Sequence, residues 1–133
     1  MRKKVLIILT VASIFTCSCR KSSTPQSPIV GRWNIVSDSV YAGVGVSNHL
    51  TVYNGKPGDF FEFAQGESIR MNEGIVLQIS TYTFNKDSVI IYEFDDGLPG
   101  KGKLSPAADT LTITTGYFYT PGGAIGRTVH LLR

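Results

Sequence analysis

Residues 81–94 read TYTFNKDSVIIYEF, and this stretch predicts a β-hairpin. Its first half alternates threonines with Tyr82 and Phe84, so the two rings share one face of a strand. Its centre, NKD, has the composition of a polar turn. Its second half, from Ser88 to Phe94, is apolar on both faces, so the pattern leaves its inward side open.

The same period of two continues along most of the chain after Pro28, and no stretch keeps apolar residues at helical spacing over three turns. The predicted strands are Gly31–Tyr41, Ser47–Tyr53, Asp59–Ala64, Ser68–Asn72, Ile75–Phe84, Ser88–Phe94, Lys101–Ser105, Asp109–Tyr119 and Ile125–Arg133. Short strands joined by tight turns are typical of an all-β, antiparallel up-and-down meander, folded as a sandwich or closed into a barrel of about eight strands. We expect the closed barrel, because no strand carries the lysines or prolines that protect an open edge.

Alternation also assigns side chains to the two faces of each strand. In the first strand Trp33 and Ile35 share one face, and polar residues including Asp38 share the other. In the third strand Phe61 and Phe63 share one face. We expect the aromatic and aliphatic faces to point into the barrel and the polar faces to point outward.

The first 21 residues, MRKKVLIILTVASIFTCSCRK, have the composition of an export signal. The apolar run from Val5 to Phe15 is about half the roughly 20 residues that a membrane-spanning helix needs. The segment resembles a bacterial lipoprotein signal, in which a small residue precedes the lipidated cysteine. A serine precedes Cys19, which fits this pattern best. Cys17 is the alternative, and an ordinary secretory signal is the other interpretation.

These features predict three segments: a lipoprotein signal peptide over residues 1–18, a lipidated N-terminus with a flexible tether over 19–28, and one barrel domain over 29–133. The tether is rich in serine and proline, as flexible spacers are. Both cysteines lie at the signal boundary, so the domain has none with which to form a disulfide. Its stability must come from a packed core.

The formal net charge of +3 arises from the N-terminal segment. Five of the 13 basic residues precede Pro28, whereas all ten acidic residues follow it. The domain is therefore slightly acidic. It has no basic stripe interleaved with aromatic residues of the kind that tracks phosphates, so we expect no nucleic-acid partner.

Gly31-Arg32-Trp33, at the start of the first strand, resembles the Gly-x-Trp signature of the lipocalins. The wider cadence is similar to the small lipocalin-like lipoproteins of Gram-negative envelopes over most of residues 29–133, in the segments GRWNIVSDSVY, YNGKPGDFFEF, TYTFNKDSVIIYEF and ADTLTIT. This resemblance implies a lipocalin-like barrel in which an arginine from the last part of the chain stacks on Trp33. Arg133 is the first candidate for this structural barrel-end pair, and Arg127 is the second. Such a stacked pair contributes about 1 to 2 kcal/mol when partly desolvated.

The candidate ligand-facing set consists of six aromatic residues: Phe61, Phe63, Tyr82, Phe84, Tyr92 and Phe94. An ordinary packed core is the alternative, because a narrow barrel can be filled by its own side chains. If a cavity is present, the hydroxyl groups of Tyr82 and Tyr92 would supply polar contacts among apolar walls. The run Tyr117-Phe118-Tyr119 must expose at least one ring, which could serve as a platform for a carbohydrate or a protein partner.

Residues 97–103, GLPGKGK, match most of a phosphate-binding loop, but Leu104 stands where the magnesium-binding hydroxyl is required. We therefore interpret this segment as a glycine-rich loop between strands. Asp95-Asp96-Gly97 is interpreted as a turn, and Glu62 and Glu93 as solvated charges rather than a pair for glycoside chemistry. The sequence contains no Gly-x-Ser-x-Gly elbow, and no Ser/His/Asp cluster can be drawn from it. We expect no enzymatic activity, no cofactor and no metal.

The sequence thus predicts a non-enzymatic, lipid-anchored envelope protein with its membrane contact through the N-terminal lipid. We expect it at the outer membrane, facing the periplasm or exposed at the surface. Its predicted function is to bind a small apolar or amphipathic molecule in or at the mouth of a small barrel. The alternative is a protein-interaction or inhibitor module with a solid core that uses its end loops, and a hydrolase is a third hypothesis.

Overall fold

The computed structural model describes residues 25–44, 47–116, 118–120 and 123–133. All regular elements in these ranges are strands: β1 Gly31–Val44, β2 Ser47–Asn54, β3 Phe60–Phe63, β4 Ser68–Glu73, β5 Val76–Asn85, β6 Ser88–Asp95, β7 Leu98–Leu104, β8 Thr110–Thr114, β9 Phe118–Thr120 and β10 Gly123–Leu132. The predicted all-β class is confirmed. Among the described residues there is no helix long and apolar enough to span a membrane. The predicted signal peptide, Cys17 and Cys19 lie outside the described ranges.

Eight strands form a closed antiparallel barrel in the order β1-β3-β4-β5-β6-β7-β8-β10, and the pairing of β10 with β1 completes the ring. The predicted up-and-down barrel of about eight strands is confirmed. Most neighbours in the ring follow one another along the chain, as expected for strands joined by tight turns. β2 and β9 lie outside the ring and pair with the far ends of β1 and β10, respectively.

β1 contains a β-bulge that reverses its inward face. The register of β1 against β10 shifts between Ile35 and Ser37, so Val36 is an extra residue. Beyond it, Asp38 points into the barrel and is 2% exposed, which corrects the outward placement predicted from simple alternation. The loop after β2 packs onto the bulge. A Cβ at Gly55 would lie 1.8 Å from the carbonyl oxygen of Ile35, so this position requires glycine.

A second irregularity changes the face of β6. The register of β6 against β7 shifts between Ile91 and Asp95, and Glu93 adopts a positive φ of 53°. As a result Phe94 turns inward, so Ile91 and Phe94 are both fully buried although they are three residues apart. Tyr92, next to the inward Ile91, lies on the outer surface and is 47% exposed. The expectation that Tyr92 and Phe94 face the same way is therefore corrected by the bulge.

The barrel interior is filled by aliphatic and aromatic side chains. The buried apolar core consists of Ile29, Trp33, Ile35, Phe61, Phe63, Ile69, Met71, Tyr82, Val89, Ile91, Phe94, Leu104, Leu111, Ile113, Val129 and Leu131. Two pairs of rings meet edge to face, with centroids 4.9 Å apart for Phe63 and Tyr82 and 6.1 Å apart for Phe61 and Phe94. None of these core residues is a cysteine, so the described core is held together by packing.

The glycine-rich segment that resembles a phosphate loop is a strand. β7 runs from Leu98 to Leu104, so it begins before the predicted strand and includes the residues interpreted as a loop. Gly100 and Gly102 lack space for a side chain, because a Cβ would lie 2.6 Å from the Phe94 ring and 2.7 Å from Val89, respectively. The glycines thus allow β7 to pass close to the large core residues of β6.

One end of the barrel is closed by the predicted tryptophan–arginine pair. The guanidinium carbon of Arg133 lies 4.6 Å from the Trp33 ring centroid, so the expected contact is present. Arg133 also donates a hydrogen bond to the carbonyl oxygen of Val30 at 2.7 Å. The indole nitrogen of Trp33 donates to the carbonyl oxygen of Ile29 at 2.9 Å, which holds the residues preceding β1 beneath the barrel. We call this the closed end.

Candidate functional site

The six predicted ligand-facing residues do not form one cavity. Phe61, Phe63, Tyr82 and Phe94 are core residues, and the Tyr82 hydroxyl donates to the carbonyl oxygen of Ala64 at 2.6 Å. Phe84 is partly buried. With Tyr82 it lines a groove of about 430 Å³ at the closed end. Tyr92 lies outside. These rings therefore contribute mainly to the core, and two of them border an opening beside the tether.

A second opening lies at the other end of the barrel, which we call the mouth. This pocket has a volume of about 470 Å³. Its apolar walls are formed by Val40, Phe61, Met71, Ile75 and Val76, and its polar and charged lining by Asp38, Tyr53, Glu73, Gln78, Asp95 and Arg127. An apolar concave surface with a few converging polar groups is typical of small-molecule sites.

Arg127 is the centre of the charged lining. Its Nε and one terminal nitrogen donate to the same oxygen of Asp38, Oδ2, at 2.8 and 2.6 Å. It donates to Oε2 of Glu73 at 2.8 Å and to the carbonyl oxygen of Phe94 at 3.2 Å. Asp95 lies 3.8 Å from it, and its guanidinium carbon is 4.8 Å from the Phe94 ring centroid. One side chain of β10 thus contacts β1, β4 and β6 across the barrel.

The three carboxyl groups outnumber the guanidinium, and this imbalance changes their titration. Burial, repulsion from Asp38 and a hydrogen bond with Asp38 raise the pKa of Glu73 to about 7, although Arg127 opposes the shift. Burial also raises the pKa of Asp95, again against the attraction of Arg127. When Glu73 is protonated, its carboxyl group can donate a hydrogen bond to the neighbouring Asp38 carboxylate.

Asp38 has one oxygen that no donor satisfies. Its side chain is 2% exposed, and Oδ2 receives both hydrogen bonds from Arg127. Oδ1 is buried and has no hydrogen-bond partner within the described ranges. A buried carboxylate oxygen without a donor is costly, by about 1 to 3 kcal/mol or more for a charged group.

Asp59 organises the rim of the mouth. Its carboxylate accepts hydrogen bonds from the Tyr53 hydroxyl at 2.7 Å, from the Lys56 amide at 2.7 Å and from the Gly74 amide at 2.8 Å. The hydrogen bond from Tyr53 is the main cause that lowers the pKa of Asp59, and the same bond raises the pKa of Tyr53 to about 12. The loop after β2 is thereby tied to the turn between β4 and β5, which carries the fully exposed Ile75.

Other predicted features are placed apart from this site. Glu62 forms a surface ion pair with Arg70 at 3.5 Å, and Glu93 is exposed on β6, so the two glutamates are not brought together as a pair. Tyr119 is 90% exposed, whereas Tyr117 lies outside the described residues. No group of three or more His, Cys, Asp or Glu residues that could hold a metal ion occurs in the part of the chain that the structure describes.

Sequence reasoning missed the charged group at the mouth. Asp38 was hidden by the β1 bulge, and Glu73 and Asp95 were interpreted as belonging to turns. The inward position of Arg127 could have been predicted, because it lies two residues before Val129 in the last strand and so shares its inward face. An inward arginine requires carboxylate partners inside the barrel.

No protein-family model, no curated protein and no solved structure matches this chain.

Proposed function

We propose that this protein is a non-enzymatic, lipid-anchored envelope protein of the lipocalin-like type that binds a small amphipathic molecule at the barrel mouth. The observation that carries the proposal is the mouth pocket, where apolar walls from four strands meet a buried charged lining. Such a site can bury an apolar body and fix a polar group at the same time.

We expect the ligand at the mouth rather than in the centre of the barrel, because side chains fill the interior. Phe61 and Phe94 fill the level below the pocket, and a Cβ at Gly100 would already overlap the Phe94 ring. A ligand is therefore expected to rest on Phe61 and Met71 and to leave the closed end untouched.

The position of the tether supports an orientation with the mouth away from the membrane. Pro25, Ser27 and Val30 border the groove at the closed end, beside Phe84. A lipid on Cys19 would thus enter the bilayer near that end. We expect Cys19→Ala to leave the exported protein in the soluble fraction without fatty-acid label, because stable anchoring requires the acyl chains. Continued labelling of this variant would reassign the lipid to Cys17 or another site.

Native mass spectrometry of the protein purified from its own host tests the binding proposal. We expect a co-purifying small molecule that is lost in Val76→Arg, because Val76 lines the mouth. Leu77→Arg is the matched control, because Leu77 is next to Val76 in β5 but is 53% exposed and does not line the pocket. A small molecule that is absent from the wild type, or retained in Val76→Arg, would contradict the proposal.

A second candidate, a protein-interaction module, is favoured by the edge of β5. From Val76 to Ser80 this strand pairs with β4, whereas its described pairing with β6 begins at Tyr82. Leu77 and Ile79 beside this gap are 53% and 66% exposed. Neighbouring exposed apolar side chains of this kind are typical of protein-contact surfaces. A photoreactive residue at position 79 that cross-links one specific protein, when the same residue at position 90 does not, would favour this candidate.

A further inference from the structure

The charge of the mouth restricts the ligand that the proposed function requires. The pocket presents three carboxyl groups, on Asp38, Glu73 and Asp95, and the guanidinium of Arg127 contacts all of them. When the three carboxyl groups and the guanidinium are all ionised, the net charge of this lining is two negative charges. An anionic ligand such as a fatty acid would find the one arginine of this lining already engaged.

The buried Oδ1 oxygen of Asp38 indicates where in the pocket a positively charged group would bind. The Asp38 side chain lines the pocket and is 2% exposed. Its Oδ1 oxygen has no hydrogen-bond donor among the described residues. Glu73 faces Asp38, and when it is protonated it can share a hydrogen bond with the Asp38 carboxyl group. A donor that carries positive charge would satisfy the oxygen and neutralise part of the excess charge in one step.

We propose that the mouth binds amphipathic molecules that carry a protonated amine, with the ammonium group at Asp38 and Glu73 and the apolar body against Met71 and Val76. This inference rests on the proposed function and specifies its ligand class. The apolar walls favour an organic cation over a hydrated inorganic ion, because Val40, Met71 and Val76 offer no polar contact to replace a hydration shell.

The binding should depend on pH, because the ammonium group and a proton compete for the same carboxyl groups. The groups that face Glu73 are Asp38 on β1, Arg127 on β10, Tyr53 on β2 and Asp59 in the loop after β2. Asp95 on β6 contacts Arg127. Loss of the proton from Glu73 above pH 7 leaves a site that is more negative. Since an alkylamine stays protonated up to about pH 10, its affinity should rise between pH 6 and pH 8.

Three probes of equal tail length test the inference: octylamine, octanol and octanoate, titrated into the purified protein by calorimetry at pH 8. We expect octylamine to bind about tenfold or more tightly than octanol, since a charge-assisted hydrogen bond is worth about 1.5 to 3 kcal/mol. Octanoate should bind most weakly. Octanol or octanoate binding as tightly as octylamine would overturn the inference and leave the proposed function standing. Failure of all three to bind would overturn both.

Variants separate a specific amine site from general attraction by an acidic protein. Glu73→Gln keeps an acceptor for Arg127, and we expect it to weaken octylamine binding about tenfold while octanol binding is unchanged. Asp95→Asn is a second, more exposed variant, expected to act in the same direction. Asp96→Asn removes an equal charge from a residue that does not line the pocket, and should have little effect. Equal losses in Asp96→Asn and Glu73→Gln would refute the assigned site.

Discussion

Arg127 is the residue that determines the structure of the mouth. Its guanidinium is 14% exposed, it contacts carboxyl groups from three other strands, and it stacks against Phe94. Replacing all members of a buried ion pair with apolar residues changes the stability little. Removing one partner lowers the stability strongly, because the remaining charges stay buried without a partner.

Arg127→Met should therefore destabilise the protein by about 3 to 5 kcal/mol at pH 8. The loss should be smaller at pH 5, where protonation of Glu73 relieves the repulsion. Chemical denaturation at the two pH values measures both effects. Arg70→Met is the control, because its surface pair with Glu62 is worth less than about 1 kcal/mol. Equal costs for the two variants would contradict the role assigned to Arg127.

Glu73 gives the protein a defined pH dependence. Its pKa rises on folding from the ordinary 4.5 to about 7, so the folded state holds a proton that the unfolded state releases. The contribution of Glu73 to stability is therefore fully present below about pH 4.5 and is lost as pH rises through about 7. Glu73→Gln should remove this decline and be more stable than the wild type at pH 8, by on the order of 1 to 2 kcal/mol.

Urea denaturation between pH 5 and pH 8 tests this prediction, with Glu62→Gln as the control on the outer surface. A wild-type stability that increases over this range, or a decline that persists in Glu73→Gln, would show that Glu73 does not hold the proton.

At the scale of elements, alternation predicted the strands and most inward side chains correctly, and it failed at the two bulges. The strands and their turns follow from period-two patterning, and the inward placement of Trp33 and Phe61 follows with them. Asp38 was misplaced because it lies beyond a bulge, and Tyr92 was grouped with Phe94 although a bulge between them turns Phe94 to the opposite face. The bulges depend on contacts distant in sequence, such as Gly55 against Ile35, which a local pattern does not contain.

β7 has a requirement of its own, because its two inward positions Gly100 and Gly102 have no space for a side chain. Gly100→Ala should destabilise the protein by about 1 to 3 kcal/mol through overpacking against Phe94. Gly66→Ala is the matched control, since a Cβ there has no neighbour within 4 Å. Thermal unfolding of both variants measures the difference. A neutral Gly100→Ala would show that the Phe94 ring can move aside at little cost.

At the scale of the whole molecule, the pairing of β1 with β10 joins the two ends of the domain. The contact of Trp33 with Arg133 is the part of this closure that the sequence resemblance predicted. It could be predicted because Trp33 lies before the bulge in β1, and Arg133 directly follows the last residue of β10 at the same end of the barrel. The charged mouth was not predicted, because Asp38 follows the bulge in β1, Asp95 follows the irregularity in β6, and Glu73 lies beyond the end of the predicted fourth strand.

A double-mutant cycle of Trp33→Phe and Arg133→Ala should give a coupling of at least about 0.5 kcal/mol, because the two side chains touch. Urea denaturation of the four proteins measures it. A cycle of Trp33→Phe with Arg32→Ala is the control, since the Arg32 guanidinium lies over Phe60 instead, 3.6 Å from its ring centroid. Additive effects in the first cycle would assign the contact no energetic role.

Ring closure also has a consequence for the order of folding. The last residues of β10 pair with the first residues of β1, as in Asn34 with Leu132, so this contact spans nearly the entire domain. A chain that emerges N-terminus first cannot complete its barrel until its last strand is available. Closing so long a loop is slow, and folding rates fall as contacts become more distant in sequence. The protein should therefore remain an open, unfinished sheet throughout its synthesis, and its edges would need protection until the final strand arrives.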